Sequence, residues 1–481
     1  MSDRGRKALK AGAWYTVCTF LLRGVSFLTM PLFTRLMSVS EIGYYSNFTS
    51  WMSILGGVLT LDLYTSVNLA YYEYDKKISG FMSTIAIAGT VYTFILYLIS
   101  LFFENSVISL LGINRYMFHI MFAYSLVHPA VSILHAKFRI FYEYKKTIIT
   151  TLIPTGCSVL ASLLLVCLFK NNRLEARTFG YYGIWIIFSI SLYVYILVKG
   201  KTFDPDYLKF ALPIALPLVF HLMASTVLST SDRVMINKIC GSEYTGYYSV
   251  AYSCAMIVHI LWSAINQAWA PWCYDMLHAG EETVIRKTVK PIQILFCAGI
   301  LIVILIAPEI MLLMGGRKYM QAVYVIPPVM LGFVAQMLYT FYVNIETFYK
   351  KQKQIMVGTM IAAACNVILN AVFIPRFGYI AAAYTTLAGY ILLLFVHYMF
   401  VRRIGKHKIY DMRFNMILLT SSILVGILVT FLYRMNAVRW SIIGLIILFV
   451  LYVVTKNRKA LLSALKTKDI VGILRALHLA E

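Results

Sequence analysis

Charge is what this chain has least of. Only 13% of its residues are Asp, Glu, Lys or Arg, about half the share of an ordinary globular domain. Acid is scarcest, with 20 Asp and Glu against 43 Lys and Arg. Hydrophobic residues make up 60% of the chain and the mean hydropathy is +0.76. That balance excludes a water-soluble fold. Cysteine is thin as well: eight residues, scattered, with no Cys-X-X-Cys pair and no metal-ligand spacing. Disulfide, redox and zinc chemistry therefore have no framework, and the cysteines read as small apolar packing residues.

Catalytic motifs are missing too. No GxSxG elbow, HExxH helix or paired-carboxylate motif occurs. Gly200-Lys201-Thr202 imitates the end of a phosphate-binding loop, but Tyr195 stands where that loop needs its first glycine. No connection between apolar runs is long enough for a catalytic domain outside the membrane. The expectation is a protein that is not an enzyme and carries no cofactor or metal.

Apolar runs are what is there. A helix needs roughly 20 apolar residues to cross a bilayer. Runs of that kind lie near 11–36, 44–71, 80–103, 115–136, 147–169, 179–198, 208–236, 247–274, 288–307, 323–346, 354–374, 379–401, 413–433 and 439–455. Lipid cannot satisfy a bare backbone, and no alternating barrel pattern appears, so helices are expected. The predicted fold class is an all-α polytopic membrane protein with fourteen transmembrane helices. The first run is too long for a signal-peptide core and lacks a small-residue cleavage site, so it is kept as a helix.

The net charge of +23 could suggest nucleic acid. Its placement excludes that partner. Lys and Arg crowd, by better than two to one, onto the alternating connections that share a side with both termini. This is the positive-inside pattern, and it puts both termini in the cytoplasm. After the last run, Leu461, Leu462, Leu465, Ile470, Ile473, Leu474 and Leu477 recur at helical spacing among Lys459, Lys466 and Lys468. An amphipathic tail on the anionic inner leaflet, or a partner-docking helix, fits that spacing.

One tetrapeptide occurs twice. Gly43-Tyr44-Tyr45-Ser46 follows the first apolar run and Gly246-Tyr247-Tyr248-Ser249 follows the seventh. Phe179-Gly180-Tyr181 and Phe377-Gly378-Tyr379 echo each other at nearly the same offset, before runs six and twelve. The chain therefore reads as a duplicated six-span unit. Six is even, so the copies are parallel repeats, a transporter architecture. The expected division is 1–200 for the first lobe, 201–405 for the second, 406–456 for two added helices and 457–481 for the cytoplasmic tail.

Polar residues inside the spans mark the candidate sites. Arg23 sits mid-span, where a cation is costly and its five-donor fork suits a phosphate. Asp62 is a lone carboxylate in span two, either an ion-coupling site or a counter-charge for Arg23. Asp232 and Arg233 close span seven and suit either substrate binding or a helix clamp. His221 follows Pro213 and Pro217, which break its helix, and histidine titrates near neutrality. His128, His135 and His259 read as helix-to-helix bonds, as do Asn366 and Asn370. Glu346 is an ion-coupling candidate, although its depth near Lys350 and Lys351 allows it to snorkel to the interface.

Some of these residues also form a family pattern. Pro31-Leu32-Phe33-Thr34-Arg35 leading to Glu41-Ile42-Gly43-Tyr44-Tyr45 resembles the end of helix one in bacterial polysaccharide-unit flippases. Ser231-Asp232-Arg233-Val234-Met235-Ile236, then Gly241, the second Gly-Tyr-Tyr-Ser and Ala251-Tyr252, resembles that family's second hallmark. Gly315-Gly316, Tyr319 and Ala322 match a third stretch. The likeness runs through the whole chain. It points to the oligosaccharide flippase branch of the multidrug/oligosaccharidyl-lipid/polysaccharide exporter superfamily.

That resemblance implies MATE-like lobes in a V and alternating access. It implies an undecaprenyl-pyrophosphate-linked oligosaccharide as substrate, carried from inner to outer leaflet for O-antigen, capsule or a related glycan. Arg23 would meet the pyrophosphate, with Asp232, Arg233 and His221 as further substrate contacts. Asp62 and Glu346 would be candidates for proton or sodium coupling. Expected partners are the bilayer, the lipid-linked substrate and a glycan polymerase. A peptidoglycan-precursor flippase and a cation-coupled multidrug exporter are the alternatives within the superfamily, and a glycan polymerase or ligase is the enzymatic one.

Overall fold

The computed structural model describes Trp14, Cys18, Leu21, Leu22, Gly24, Val25, residues 27–74 and residues 77–456. Arg23 and the basic tail 457–481 lie outside the described residues. No strand occurs among the described residues. The helices are α1 (27–36), α2 (Val39–Thr60), α3 (Val67–Tyr74), α4 (Ile78–Phe102), α5 (Glu104–Leu111), α6 (Arg115–Val127), α7 (Pro129–Ile140), α8 (Tyr144–Leu168) and α9 (Arg173–Gly200). They continue with α10 (Asp206–Ile239), α11 (Ser242–Ala279), α12 (Glu282–Leu305), α13 (Ala307–Met314), α14 (Ile326–Phe348), α15 (Gln352–Phe377), α16 (Ala381–Arg403), α17 (Met412–Phe431) and α18 (Asn436–Lys456).

Eleven helical segments among the described residues are long and apolar enough to cross a bilayer. They become twelve if the bent pair Val39–Thr60 and Leu63–Tyr74 forms one span. Asn436–Leu448 is a shorter apolar helix where the last expected run lies. Every expected run from 44–71 onward is met by a helix, and the run at 11–36 falls partly outside the described residues.

Local chemistry explains the breaks. Ser38 caps α2 with a reciprocal box: its hydroxyl accepts from the Glu41 amide, and its own amide donates to the Glu41 carboxylate at 2.7 Å. That pairing satisfies two orphan donors at the helix start. The other end of α2 breaks at Leu61 and Asp62, both left-handed with φ of 55° and 40°, and the chain turns by 61°. Neither residue is glycine, so the turn holds backbone strain in mid-span. Pro154, Pro213, Pro217, Pro271 and Pro291 lie inside helices, where each removes one backbone hydrogen bond. Pro213 and Pro217 do not break α10 as expected, since the remaining backbone bonds carry the helix on from Asp206 to Ile239.

The chain packs as two units. The first comprises the chain up to Val250 together with Met314–Lys318 and Val367–Tyr379. Its core holds two apolar clusters. Phe81, Ile85, Ala130, Leu134, Tyr207 and Ala211 belong to one, and Phe48, Met117, Phe118, Met121 and Tyr182 to the other. The second unit comprises Ala251–Leu313, Tyr319–Asn366 and the chain from Ile380 onward. There α14 is buried along most of its length, from Ile326 to Glu346.

Candidate functional site

The two Gly-Tyr-Tyr-Ser copies meet each other in the first unit. A methyl group on Gly43 would lie 1.7 Å from the Ser242 carbonyl oxygen, and one on Gly246 would lie 2.1 Å from that of Val39. Only glycine permits that approach. The Ser40 and Ser242 hydroxyls hydrogen-bond at 2.6 Å across the same seam. Tyr379, from the second Phe-Gly-Tyr echo, packs its ring 5.4 Å from Tyr244 and 6.3 Å from Tyr247.

Cations gather beside this seam, around the end of α1. Arg173 donates to the Leu36 carbonyl and Lys318 to that of Met37, the latter at 2.7 Å. Basic groups at a helix C-terminus complement its dipole. The Arg177 guanidinium lies between two rings, 4.0 Å from the centroid of Phe33 and 3.8 Å from that of Tyr45. Sequence reasoning counted these cations as loop charges only. The signal that could have found Arg177 is its place just before Phe179-Gly180-Tyr181.

Asp232 is buried, with 1% exposure. The Tyr248 hydroxyl donates to its Oδ2 at 2.5 Å, and the Asn370 amide donates to its Oδ1 at 2.7 Å. Tyr248 belongs to the second Gly-Tyr-Tyr-Ser, so a motif tyrosine holds a motif carboxylate. Arg233 reaches back along its own helix to the Ser229 carbonyl at 3.5 Å. His221 lies on α10, one turn beyond Pro217, and its side chain is outside the described residues. Asp62 sits at the break after α2, half-buried; Thr60 donates to its Oδ1 at 3.1 Å. The space in front of its Oδ2 adjoins Gly57 and Val219 of α10.

Glu346 does not snorkel. It is fully buried, and its Oε1 lies 3.0 Å from Nδ1 of His397, itself 1% exposed. Glu346 of α14 and His397 of α16 meet where these two helices pack against each other, which buries both side chains. Sequence reasoning passed over His397, whose signal was a histidine inside the apolar run 391–401.

The other histidines singled out make ring contacts or a single bond. His128 packs at a tilt against Tyr124 and Trp185, His135 bonds Thr150 at 2.9 Å, and His259 packs at a tilt against Phe333. Asn366 bonds Thr386 at 3.5 Å. Among the described residues, no group of three or more His, Cys, Asp or Glu is placed to hold a metal ion. Beyond the spans, Lys406 pairs with Glu282 at 2.6 Å, while Asp411 lies 3.4 Å from Lys290 and 3.8 Å from Arg286. Partial burial pushes the Asp411 carboxyl up. The Phe414 amide, Lys290 and Arg286 outweigh it and hold the group below its ordinary value.

A model of the polysaccharide biosynthesis protein family matches residues 8–277. The chain belongs to that family. That description agrees with the resemblance of the sequence motifs to polysaccharide-unit flippases. A Haemophilus influenzae protein called Lsg locus putative protein 1 is 22% identical over 76% of this chain and 90% of its own length. An uncharacterized membrane protein of Methanocaldococcus jannaschii is 19% identical over 86% of this chain and 87% of its own.

Among solved structures, the lipid II flippase MurJ in an inward closed conformation superposes with a TM-score of 0.64 at 14% identity. The match covers 89% of this chain and 99% of that one. An inward-facing multidrug resistance MATE family transporter of the MOP superfamily gives 0.55 at 13% identity, over 81% of this chain and 98% of its own. The fold is therefore the flippase and exporter fold. The chain is a multi-pass membrane protein.

Proposed function

We propose that this protein flips undecaprenyl-pyrophosphate-linked oligosaccharide units from the inner to the outer leaflet of the plasma membrane by alternating access, for a surface polysaccharide such as O-antigen or capsule. The observation that carries the reading is the family match over residues 8–277. The physical need agrees: a sugar headgroup cannot cross hydrocarbon unaided, because each unpaired polar group costs several kcal/mol. In this reading the lobes divide near residues 200 and 405, and the basic bias puts both termini in the cytoplasm. Arg23 neutralises the pyrophosphate, and His221 and Arg233 extend the substrate contacts. Asp232, held by Tyr248 and Asn370, shapes their surroundings. Asp62 and Glu346 are the carboxylates available for a coupling proton or sodium ion. A glycan polymerase would take the flipped unit.

The likeness to MurJ favours one rival, a flippase for a peptidoglycan precursor. Deleting the gene and extracting undecaprenyl-linked sugars separates the readings. Complete, unpolymerised repeat units should accumulate, relieved by the wild-type gene and not by Arg23→Ala at equal membrane level. Accumulated peptidoglycan precursor would favour the rival. Unchanged lipid-linked sugars with altered sensitivity to cationic drugs would move the protein to the multidrug branch.

A further inference from the structure

Glu346 and His397 form a closed pair in the second unit. Glu346 is 0% exposed and His397 1%. Their contact, Nδ1 to Oε1, spans 3.0 Å, while Oε2 of Glu346 is buried with no hydrogen-bond partner among the described residues. Tyr339 stacks on the imidazole at 5.6 Å, and Phe400 meets it edge-on. The ring's far side faces Gly358 of α15, where a methyl group would sit 3.2 Å from Nε2.

Among the described residues, no other charged side chain bonds the pair. From α14 itself Tyr339 faces the ring. From α15 comes Gly358, while Lys353 of that helix is exposed. Arg402 and Arg403 lie exposed at the end of α16. The polar groups of α12 and α17 are engaged elsewhere: Gln293 bonds Asn415, Asn415 bonds Tyr342, and Asp411 pairs with Lys290.

Such a pair has three protonation states. With two protons it carries +1, with one it is neutral overall, and with none it carries −1. In apolar surroundings a net charge is penalised, so the one-proton form is favoured, whichever atom holds the proton. In water near neutral pH the balance differs. Glutamate ionises near pH ~4.3 and histidine near ~6.5, so above that the exposed pair carries −1. Burying it takes one proton from solution, and wetting it returns one. His397 lies six residues before Arg403, about 9 Å along the helix, so the route to the basic end of the spans is short.

We propose that Glu346 and His397 together form a proton-binding site, loaded while the pair is buried and unloaded when water reaches it. The site rests on the flippase reading for its purpose, which is to supply the coupling ion. Its proton binding requires no substrate.

The test is equilibrium unfolding of the full-length protein in detergent between about pH 5 and pH 9. Above about pH 6.5 the folded pair holds one proton more than the unfolded chain. Stability therefore falls as pH rises, and this pair raises the unfolding constant about tenfold per pH unit. In Glu346→Gln that component should vanish. In His397→Gln a buried, protonated Glu346 should keep it and move its onset down toward pH ~4.3. The same pH dependence in wild type and Glu346→Gln would overturn the site. Should Glu346→Gln not fold, an unmoved onset in His397→Gln would overturn it alone. A failure to flip lipid-linked sugar would sink the proposed function and leave this result unaffected.

Discussion

The two copies of Gly-Tyr-Tyr-Ser occupy equivalent places in the repeat and hold opposite charges. In the first copy Tyr45 lays its ring on the Arg177 guanidinium, 3.8 Å away. In the second, Tyr248 gives its hydroxyl to Asp232 at 2.5 Å. The same residue type thus meets a cation in one copy, through its ring and its hydroxyl, and a carboxylate in the other. Where the copies meet, each glycine presses against backbone beside the other copy, while the tyrosines next to them meet charges of opposite sign. A repeated motif is therefore evidence of shared architecture and not of shared chemistry.

The largest effect should come from breaking the contact the copies share. Gly43→Ala or Gly246→Ala forces a Cβ into a backbone carbonyl that cannot step aside. The cost should be about 3 kcal/mol or more, the upper range for overpacking, and a fluorescent fusion should show little folded protein. Normal folding of both variants would mean the seam yields. Next comes Asp232→Ala, which strips the acceptor from Tyr248 and Asn370 and should cost about 3 kcal/mol in a detergent unfolding curve. Asp232→Asn, close in shape, should recover part of that.

Removing single hydroxyls sharpens the contrast between the copies. Tyr248→Phe loses a hydrogen bond to a carboxylate and should cost about 1.5–3 kcal/mol. Tyr45→Phe keeps the face that meets Arg177 and loses only its hydroxyl contact with the guanidinium, so it should cost about 0.5–1.5 kcal/mol. Equal losses would show that the copies do not differ as described. The smallest change lies away from the seam, at Asp411. Its carboxyl sits below its ordinary value, so the stability it contributes is present above the unfolded value and is lost as pH falls through the folded one. Asp411→Asn should flatten that acid-side loss slightly, as a melting series below about pH 5 would show.

Much of the fold could be read from residue order. Runs of apolar residues long enough for a bilayer have one structural outcome, because lipid leaves the backbone no partner but itself. The effect of Pro213 and Pro217 could not be read that way, because α10 runs on through both. Nor could the break at Asp62. Leu61 and Asp62 carry no glycine or proline signal, and their left-handed conformation is held by the packing around them.

The site residues divide in the same way. Asp232, Asn370 and Tyr248 each drew notice as polar groups in or beside spans, but Asp232 and Asn370 are 138 positions apart. Arg177 looked like a loop charge. Glu346 looked like a residue at the interface, because depth along one helix says nothing of what covers it.

The sequence alone determined the membrane setting, the duplicated plan and the family, since each follows from composition, period and short motifs. The tertiary structure decided which polar side chains meet. It set Tyr248 and Asn370 on Asp232, Arg177 between two rings, and His397 on Glu346 with one oxygen unmet among the described residues. The physical reason is that a hydrogen bond needs its partners within about 3 Å. Only the packing of whole helices brings residues so distant in sequence that close.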